Sequence, residues 1–505
     1  MPWARRRAAP TLVLAALLAF ILGMLLGRAG ADDSAPAIGS GTTLEGVWTD
    51  LDGNGTLERG AGEPLIERAD LGPPSPTTRT LATLVQITDS HVRDEESPAR
   101  ASLLDRRDPV LNSTFRPQEA LSAQVLAGVV TATNAVDPDA VLVSGDLIDS
   151  AQRNELDQFL ATVGGGTVEP DSGAAGYEGP QEASNPDPFF FRPDLDAPRS
   201  PGLLAAAQEP FESAGLEAPW HSIVGNHDLL VQGEVPSTPA LAALATGDRL
   251  LTGLDSNLRL PRGTIPANAA AAEGAALSPE LVDAVIGGGS GAGLPGPTER
   301  ITPDANRSHL SPGSILRALR DASGSGGSGR LMDYGFDVGA EVRVVAIDLV
   351  NREGGSDGVV HPGQAEWLGR ELERAGERHV IVATHQPIDG SVGGGELQAI
   401  LDADDDVIAT LAGDTHANSI EPRTTSSGGY WQIETSSLAD YPQQARAIRV
   451  VETENGGIAL ETWMIDGTGS ELATTARELS YLDAQGGRPQ GNAGEPADRN
   501  AALFR

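Results

Sequence analysis

The chain has 505 residues, with 71 Asp and Glu against 35 Lys and Arg, which gives a formal net charge of −36 at pH 7. This acidic excess excludes unaided binding to nucleic acid or to an anionic membrane surface, because phosphate groups are bound by Lys and Arg; we interpret the excess as a solubility adaptation. The chain has no cysteine, which excludes disulfides and thiolate ligands, so any metal ion would be bound by oxygen and imidazole nitrogen.

The first 31 residues have the three-part pattern of a secretory signal peptide. Three arginines at 5–7 precede an apolar stretch at 11–26, and small residues follow at 29–31. The apolar stretch is slightly short for a membrane-spanning helix, but an uncleaved anchor is the alternative. We therefore expect an exported protein that is extracellular, associated with the cell wall, or anchored through residues 11–26, with no other membrane contact.

Residues 32–80 form an extension rich in Gly, Pro and Thr that contains one acidic turn. In this turn Asp50, Asp52 and Asn54, followed by glycine, match the opening of an EF-type calcium loop over residues 50–61. The twelfth position of the loop is alanine, where a bidentate Glu belongs. We therefore interpret the segment as a Gly-rich acidic turn, with Ca²⁺ binding as the alternative.

From residue 81 onward, apolar runs end repeatedly at segments that contain Asp, Asn or His. Short apolar runs that stop at polar turns are typical of buried β-strands. In α/β folds, site residues collect at strand ends, where the sheet supplies rigid support. These segments therefore predict a two-metal hydrolase site. The five segments are Asp89-Ser90-His91, Gly145-Asp146-Leu147-Ile148-Asp149, Gly225-Asn226-His227-Asp228, His385, and Gly413-Asp414-Thr415-His416.

The remaining elements alternate between regular and irregular stretches. Two long insertions, at about 161–215 and 230–335, are low in pattern and rich in Gly, Ala, Ser and Pro. We expect them to form lids or substrate walls, with solvated surface decoration as the alternative. Residues 485–505 are predicted to be a disordered tail. Helices are predicted at about 117–133 and 362–375, and strands at 342–350, 430–436, 445–453 and 458–465.

The order of the five metal-binding segments resembles that of the calcineurin-like metallophosphoesterases, over roughly residues 81–465. The segment Tyr430 to Arg446, which contains Asp440-Tyr441-Pro442-Gln443-Gln444, is similar to an exported bacterial subgroup of that family. The resemblance implies an α/β (α+β) fold, a four-layer sandwich of two mixed β-sheets flanked by helices, with long low-complexity insertions. The metallophosphoesterase domain would then span residues 81–470.

The resemblance also implies roles for nine residues of the five segments. His227 would face the leaving group, and Asp228 would orient the His227 imidazole. Asp146 would bridge two divalent or trivalent metal ions, drawn from Mn, Fe, Zn and Mg. The ligands of the first metal would be Asp89, His91, Asp146 and His416, and those of the second would be Asp146, Asn226, His385 and Asp414.

Two positions depart from what the family usually shows. Asp414 stands where an imidazole is expected at the second metal. As a ligand, a carboxylate would favour harder ions such as Mn, Fe or Mg over Zn; alternatively, Asp414 has left the site and the second metal binds weakly. Asp149 stands where the purple acid phosphatases carry a tyrosine ligand, which argues against a ferric-tyrosinate centre.

The predicted function is hydrolysis of phosphate monoesters or diesters by a metal-bridged hydroxide. Arg93 and Arg116, in the loop after the first segment, are candidates for binding the substrate phosphate, or are ordinary loop charges. One alternative function is a nucleotide or cyclic-nucleotide phosphodiesterase of the same fold. The other is a catalytically weak surface or binding protein whose second metal site is impaired. The sequence identifies neither the ester nor the oligomeric state.

Overall fold

The computed structural model describes residues 41–100, 115–252, 296–327, 329–426, 428–485 and 492–505. The predicted signal peptide or anchor at 1–31 lies outside these residues. Among the helices that are described, none is both long and apolar enough to cross a membrane.

The described strands range from two-residue pairs near the N-terminus to an eleven-residue strand that leads into the first metal-binding segment. They are β1 (Trp48–Thr49), β2 (Glu58–Arg59), β3 (Ile66–Arg68), β4 (Thr77–Ile87), β5 (Ala140–Ser144), β6 (Gly166–Val168), β7 (Phe211–Ser213), β8 (Trp220–Ile223), β9 (Arg249–Leu251), β10 (Thr298–Arg300), β11 (Tyr334–Val338), β12 (Val342–Ala346), β13 (His379–Ala383), β14 (Val407–Ala412), β15 (Ser419–Arg423), β16 (Tyr430–Glu434), β17 (Gln444–Thr453), β18 (Ile458–Asp466) and β19 (Ala501–Phe504).

The described helices include both helices that the sequence predicts, the first of which is preceded by a 3-10 turn at Glu119–Leu121. A second 3-10 turn covers Ala305–Arg307. The α-helices are α1 (Ser122–Val136), α2 (Arg153–Gly164), α3 (Leu203–Gln208), α4 (Asn226–Leu229), α5 (Pro239–Ala245), α6 (Pro312–Ala322), α7 (Gln364–Ala375), α8 (Gly394–Leu401), α9 (Glu471–Gln485) and α10 (Pro496–Arg499).

Two mixed sheets carry the fold. The larger sheet has seven strands in the order β3-β19-β18-β17-β4-β5-β8, in which β4, β5 and β8 are mutually parallel neighbours. The smaller sheet has six strands in the order β11-β12-β13-β14-β16-β15, in which β12, β13, β14 and β16 are parallel. Antiparallel pairs make both sheets mixed: β17 pairs antiparallel with β4 and β18 inside the larger sheet, and β11 and β15 do so at the edges of the smaller sheet.

The sheets face each other, and helices cover their outer faces. Gln86 of β4 donates from Nε2 to Ala412 O of β14, and its Oε1 accepts from Thr435, so polar contacts join the sheets at the end that leads into the site. On the smaller sheet, alternate residues point to opposite sides, as the period of a strand requires. Val344 and Ala346 join the core shared with the larger sheet, whereas Val345 packs with α7 and α8. This four-layer α/β arrangement of two mixed sheets flanked by helices confirms the predicted fold class.

The fold extends beyond the predicted domain at both ends. In the extension, β3 lies at the edge of the larger sheet, and β4 begins at residue 77 rather than 81. The prediction of a disordered tail is wrong for residues 492–505, where β19 inserts between β18 and β3. Ala501 and Leu503 are buried at alternate positions, but this pattern is too short to predict a strand from the sequence. Long-range pairing stabilises β19.

The insertions are partly regular and are tied to the loop after the first metal-binding segment. The described part of 161–215 contains the antiparallel β6–β7 pair and α3, and that of 230–335 contains the β9–β10 pair, α5 and α6; residues 253–295 lie outside the description. Arg307, which is fully buried, binds Asp94 at 3.1 Å and Ser172 at 2.8 Å. A buried cation thus joins both insertions to residue 94, which argues against pure surface decoration.

Candidate metal centre

The metal-binding segments lie at the carboxyl ends of neighbouring strands. Asp89 and Asp146 each come two residues after their strands, β4 and β5, and Asn226 follows β8 as the first residue of α4. On the smaller sheet, His385 and Asp414 each come two residues after β13 and β14. Parallel neighbours direct their carboxyl ends to the same edge, so residues up to 327 positions apart meet in one place.

The backbone at this edge adopts an unusual conformation at five non-glycine residues. All have φ in the left-handed region, which costs on the order of 1 kcal/mol or more for a residue with a Cβ atom. Strain of this kind persists where the surrounding structure fixes it, and it is common at functional sites. The five residues are all predicted ligands: Asp89 (φ 51°), His91 (φ 40°), Asp146 (φ 48°), Asp414 (φ 66°) and His416 (φ 57°).

Two glycines of the segments allow the loops to approach each other. A Cβ atom at Gly225 would clash with the carboxylate and backbone nitrogen of Asp146, and one at Gly413 would clash with Thr88 and the Asp89 carboxylate. These positions therefore require glycine for close approach.

The first donor group consists of Asp89, His91 and His416. The Nε2 atoms of the two imidazoles are 3.2 Å apart, and His416 Nε2 is 3.4 Å from Asp89 Oδ1. His91 Nε2 also lies 3.6 Å from Asp146 Oδ2. Two imidazole nitrogens and carboxylate oxygens facing one point form a typical nitrogen–oxygen donor set for a transition metal.

The second donor group consists of Asn226, His385 and Asp414. His385 Nε2 lies 3.3 Å from Asp146 Oδ1 and 3.5 Å from Asp414 Oδ1. Asn226 is on the loop that holds Asp146, since the next backbone nitrogen, that of His227, donates to Asp146 Oδ1 at 2.8 Å. Asp414 therefore has not left the site, and Asp146 turns one oxygen toward each donor group.

Each ligand imidazole has its Nδ1 atom occupied by an oxygen, which leaves Nε2 for the centre. His385 Nδ1 lies 2.9 Å from Ser144 O, His91 Nδ1 lies 3.2 Å from Asp149 Oδ1, and His416 Nδ1 contacts an oxygen of Asp440. Acceptors at Nδ1 fix the proton there and keep the lone pair on Nε2, as outer partners of metal-binding histidines do.

The donor atoms fit two cations. His385 Nε2 is buried and makes no well-formed hydrogen bond among the described residues. The facing Nε2 atoms of His91 and His416, both with Nδ1 on a carboxylate, would repel each other unless a proton or a cation lay between them. Three carboxylates, those of Asp89, Asp146 and Asp414, add charge that burial makes costly without a counter-ion.

Several pKa values at the centre are displaced in the metal-free protein. Burial raises the pKa of Asp414 to about 7, with further contributions from Asp146 and Asp89. Burial opposes protonation of His416 and of His227, but Asp440 outweighs it at His416, and Asp146 and Asp149 outweigh it at His227, so that both pKa values rise to about 9. These shifts show how strongly the carboxylates attract positive charge to this point.

The partner that orients His227 differs from the prediction. His227 Nδ1 lies 2.9 Å from the backbone oxygen of Asp149 and 3.4 Å from its carboxylate, so Asp149 orients the ring. The Asp228 carboxylate accepts instead from the backbone nitrogens of Leu147, Ile148 and Gly225. Asp228 thus holds two metal-binding loops together, and its predicted role beside the imidazole is wrong.

The two arginines predicted to bind phosphate are both buried in ion pairs. Arg93 contacts Glu119 at 2.9 Å and Asp149 at 3.1 Å, with a side chain 1% exposed. Arg116 pairs with Asp440. Neither guanidinium faces solvent, so the prediction that they bind phosphate is wrong: each instead stabilises a carboxylate that supports an imidazole.

The acidic turn at 50–55 forms its own hydrogen bonds. Asp50 oxygens accept from the backbone nitrogens of Asn54 and Gly55 at 3.0 and 2.8 Å, and Asp52 accepts from Asn54 at 3.2 Å. This geometry agrees with a polar turn. Ca²⁺ binding there stays a prediction.

Besides Asp149, sequence reasoning missed two residues of the site. Asp440, 1% exposed, binds the His416 imidazole, and its only signal was its place in the Asp440-Tyr441-Pro442 segment that carried the subgroup resemblance. Gln386, 2% exposed, donates to the Asn226 side chain at 3.0 Å, and its only signal was adjacency to His385.

Comparisons with known proteins add little to this geometry. No protein-family model matches the chain, and no curated protein matches it. A solved dimetal phosphatase from Danio rerio aligns over 77% of this chain and 100% of its own, at 13% identity and a TM-score of 0.39. The protein TT1561 of Thermus thermophilus aligns over 76% of this chain and 98% of its own, at 7% identity and a TM-score of 0.29. Similarity at this level carries no argument, so the function must be inferred from the site.

Proposed function

We propose that this protein is a dinuclear metal-dependent phosphoesterase of the calcineurin-like type, which hydrolyses phosphate monoesters or diesters. The observation that carries the proposal is the position of Asp146, whose Oδ1 lies 3.3 Å from His385 and whose Oδ2 lies 3.6 Å from His91. A carboxylate between two sets of donors is the arrangement that two neighbouring metal ions require.

The protein groups have distinct tasks in the proposed reaction. When bound, two cations neutralise phosphate oxygens and lower the pKa of water. Asp89, Asp146 and the imidazoles would hold the cations, and the left-handed backbone at these residues fixes their side chains before the ester arrives.

His227 is placed to act on the departing oxygen. Its Nδ1 is occupied by Asp149, its side chain is 12% exposed, and its ring centroid is 4.4 Å from that of His91. A proton on His227 Nε2 can therefore pass to the leaving alkoxide, which typically contributes about 100-fold to 10,000-fold in rate.

We also propose that the protein is exported, and the N-terminal sequence pattern is the only support for this. Residues 1–31 would direct the protein out of the cytoplasm, with an anchor through residues 11–26 as the alternative. Assignment to an exported bacterial subgroup rests on the Tyr430–Arg446 resemblance, whose Asp440 supports His416 in the structure. Export is tested by the N-terminus of the mature protein, which shows whether residues 1–31 are removed or kept as an anchor.

The catalytic proposal is tested by a substrate panel on the purified protein. Hydrolysis of p-nitrophenyl phosphate and of its bis ester would be measured with Mn, Fe, Zn and Mg added separately. The proposal expects turnover of at least one ester that depends on added metal and falls by about 100-fold or more in His227→Ala. Preference between the two esters decides between a monoesterase and a phosphodiesterase.

The Asp414→His variant belongs in the same panel. Because Asp414 faces His385 at 3.5 Å, we expect the exchange of oxygen for nitrogen to shift metal preference toward Zn while turnover is retained. One bound ion per chain and no turnover with any metal would instead identify a binding protein with an impaired second site.

A further inference from the structure

The Asn226 side chain poses a problem of orientation. An amide binds a cation through its oxygen only, yet the oxygen and nitrogen ends have nearly the same size, and a half-turn of the amide exchanges them. Asn226 is 2% exposed, so solvent cannot satisfy the wrong end. Something in the protein must select the orientation that makes Oδ1 available.

A chain of hydrogen bonds with fixed direction surrounds this amide. Asn226 Nδ2 donates to the backbone oxygen of Gly233 at 3.2 Å. Gln386 Nε2 donates to Asn226 Oδ1 at 3.0 Å and to the backbone oxygen of Ser356 at 3.3 Å. Backbone oxygens only accept, so the two carbonyls at the ends of the chain determine which end of each amide is nitrogen.

The ends of this chain are themselves fixed. A Cβ atom at Gly233 would lie 2.5 Å from Asn226 Nδ2, so only glycine, here at φ 71°, lets the carbonyl approach the amide. The two turns that supply the carbonyls are joined to each other, because Gly355 N donates to Glu234 O at 2.8 Å. Gln386 is 2% exposed. The chain is therefore a rigid, buried support.

We propose that Gln386 is a positioning residue that fixes the Asn226 amide with its oxygen available to the second metal ion. This inference rests on the proposed function. Oδ1 has two lone pairs; Gln386 occupies one and leaves the other for a cation. His385 and Gln386 thus contribute one direct ligand and one orienting group from consecutive positions at the end of β13.

The test is calorimetric titration of the metal-free protein with Mn²⁺, comparing wild type with Gln386→Met. Loss of the orienting donor should weaken the second binding step by about 10-fold to 100-fold and leave the first within about threefold. Gln364→Met is the matched control, because Gln364 is 1% exposed and binds Asp333 and the Asp348 carbonyl. The control should bind Mn²⁺ like wild type; equal weakening of both steps in Gln386→Met would overturn the inference.

Gln386→Glu keeps the size of the side chain and tests whether the second-step affinity for Mn²⁺ rises or falls. Charge alone predicts that an added carboxylate tightens Mn²⁺ binding. If Gln386 orients Asn226, binding at the second step should instead weaken. A carboxylate at 386 cannot donate to Asn226 Oδ1 and favours the Asn226 amide turned by half a turn. Tighter binding would therefore contradict the role of Gln386.

A double-mutant cycle separates orientation from packing. In an Asn226→Asp background both ends of the ligand are oxygens, so adding Gln386→Met should cost no more than about threefold at the second step. The same loss in both backgrounds would reduce Gln386 to a packing residue. If wild type binds fewer than two Mn²⁺ ions, the proposed function fails and this inference with it; two ions in wild type with an unaffected Gln386→Met defeat the inference alone.

Discussion

The first and second donor groups differ in what stabilises their ligands. In the first, both imidazoles contact carboxylates, Asp149 and Asp440, which in turn pair with buried arginines. In the second, His385 contacts a backbone oxygen and Asn226 contacts neutral amides. The first group is held by charge and the second by neutral hydrogen bonds.

This difference predicts unequal metal sites. The charges of Arg93 and Arg116 overcome burial and hold the pKa values of Asp149 and Asp440, respectively, well below their ordinary range, so these carboxylates stay ionised at any ordinary pH. Asp414, in the second group, is 23% exposed at its side chain and has a pKa raised to about 7 by burial. We therefore expect the second metal to bind more weakly, and its affinity to fall further than that of the first metal below pH 7.

The largest effect should follow a change to the residue that both groups share. Asp146→Asn removes the charge and one of the two oxygens that face His385 and His91, so both metals should bind more than about 100-fold more weakly. Metal analysis after Mn²⁺ loading measures this directly. The control is Asp348→Asn, a fully buried carboxylate that pairs with Arg352. Full occupancy of either site in Asp146→Asn would contradict the role of Asp146 as a ligand shared by both metals.

Asp440→Asn should weaken metal binding mainly at the first donor group. Without the carboxylate, His416 loses the partner that fixes its proton on Nδ1, and the first binding step should weaken by about 10-fold to 100-fold. The affinity of the second step should change only to the extent that Asp146 couples the two ions. Mn²⁺ titration measures both steps, and an unchanged first step would show that Asp440 serves Arg116 alone.

The second step should depend on pH through Asp414. A protonated Asp414 carboxyl group cannot bind a cation, so its pKa of about 7 predicts that the ratio of second-step to first-step affinity falls about fivefold from pH 7 to pH 6 and about twofold from pH 8 to pH 7. Titrations at pH 6, 7 and 8 give this ratio. Asp414→Asn should abolish the trend, and a ratio independent of pH in wild type would count against Asp414 as a ligand.

The smallest effect concerns the stability of the metal-free protein. Asp440 outweighs burial and raises the pKa of His416 to about 9 from an ordinary 6.5, so the folded state gains most when His416 is protonated. This stabilisation is complete below pH 6.5 and is lost as pH rises through 9. Urea unfolding of EDTA-treated wild type and Asp440→Asn should converge as pH increases; parallel curves would contradict the assignment.

The residues that meet at this edge could be predicted from the sequence because each follows a β-strand, and most of these strands are strongly apolar. The supporting residues could not be predicted, because their partners are remote in the chain. Arg116 and Asp440 are 324 residues apart, and neither position carries a signal for the other. The family resemblance predicts that Asp228 orients His227, yet a helical turn directs the Asp228 carboxylate to the backbone at 147 and 148.

The fold shows the same limit. The long strands and the amphipathic α7 were predictable from periodicity, whereas β19 has four residues and depends on pairing with β18 and β3. The sequences of the insertions show no periodic pattern, although Arg307 binds Asp94 and Ser172 and so fixes the insertions in place. Single buried ion pairs of this kind leave no periodic trace in a sequence.

Anomalous diffraction from Mn²⁺-loaded crystals tests the central claim most directly. The account predicts two peaks about 3.5–4 Å apart, one on each side of Asp146, with the weaker peak beside His385 and Asp414. A single peak, or two peaks that do not share Asp146, would contradict the dinuclear centre and the function built on it.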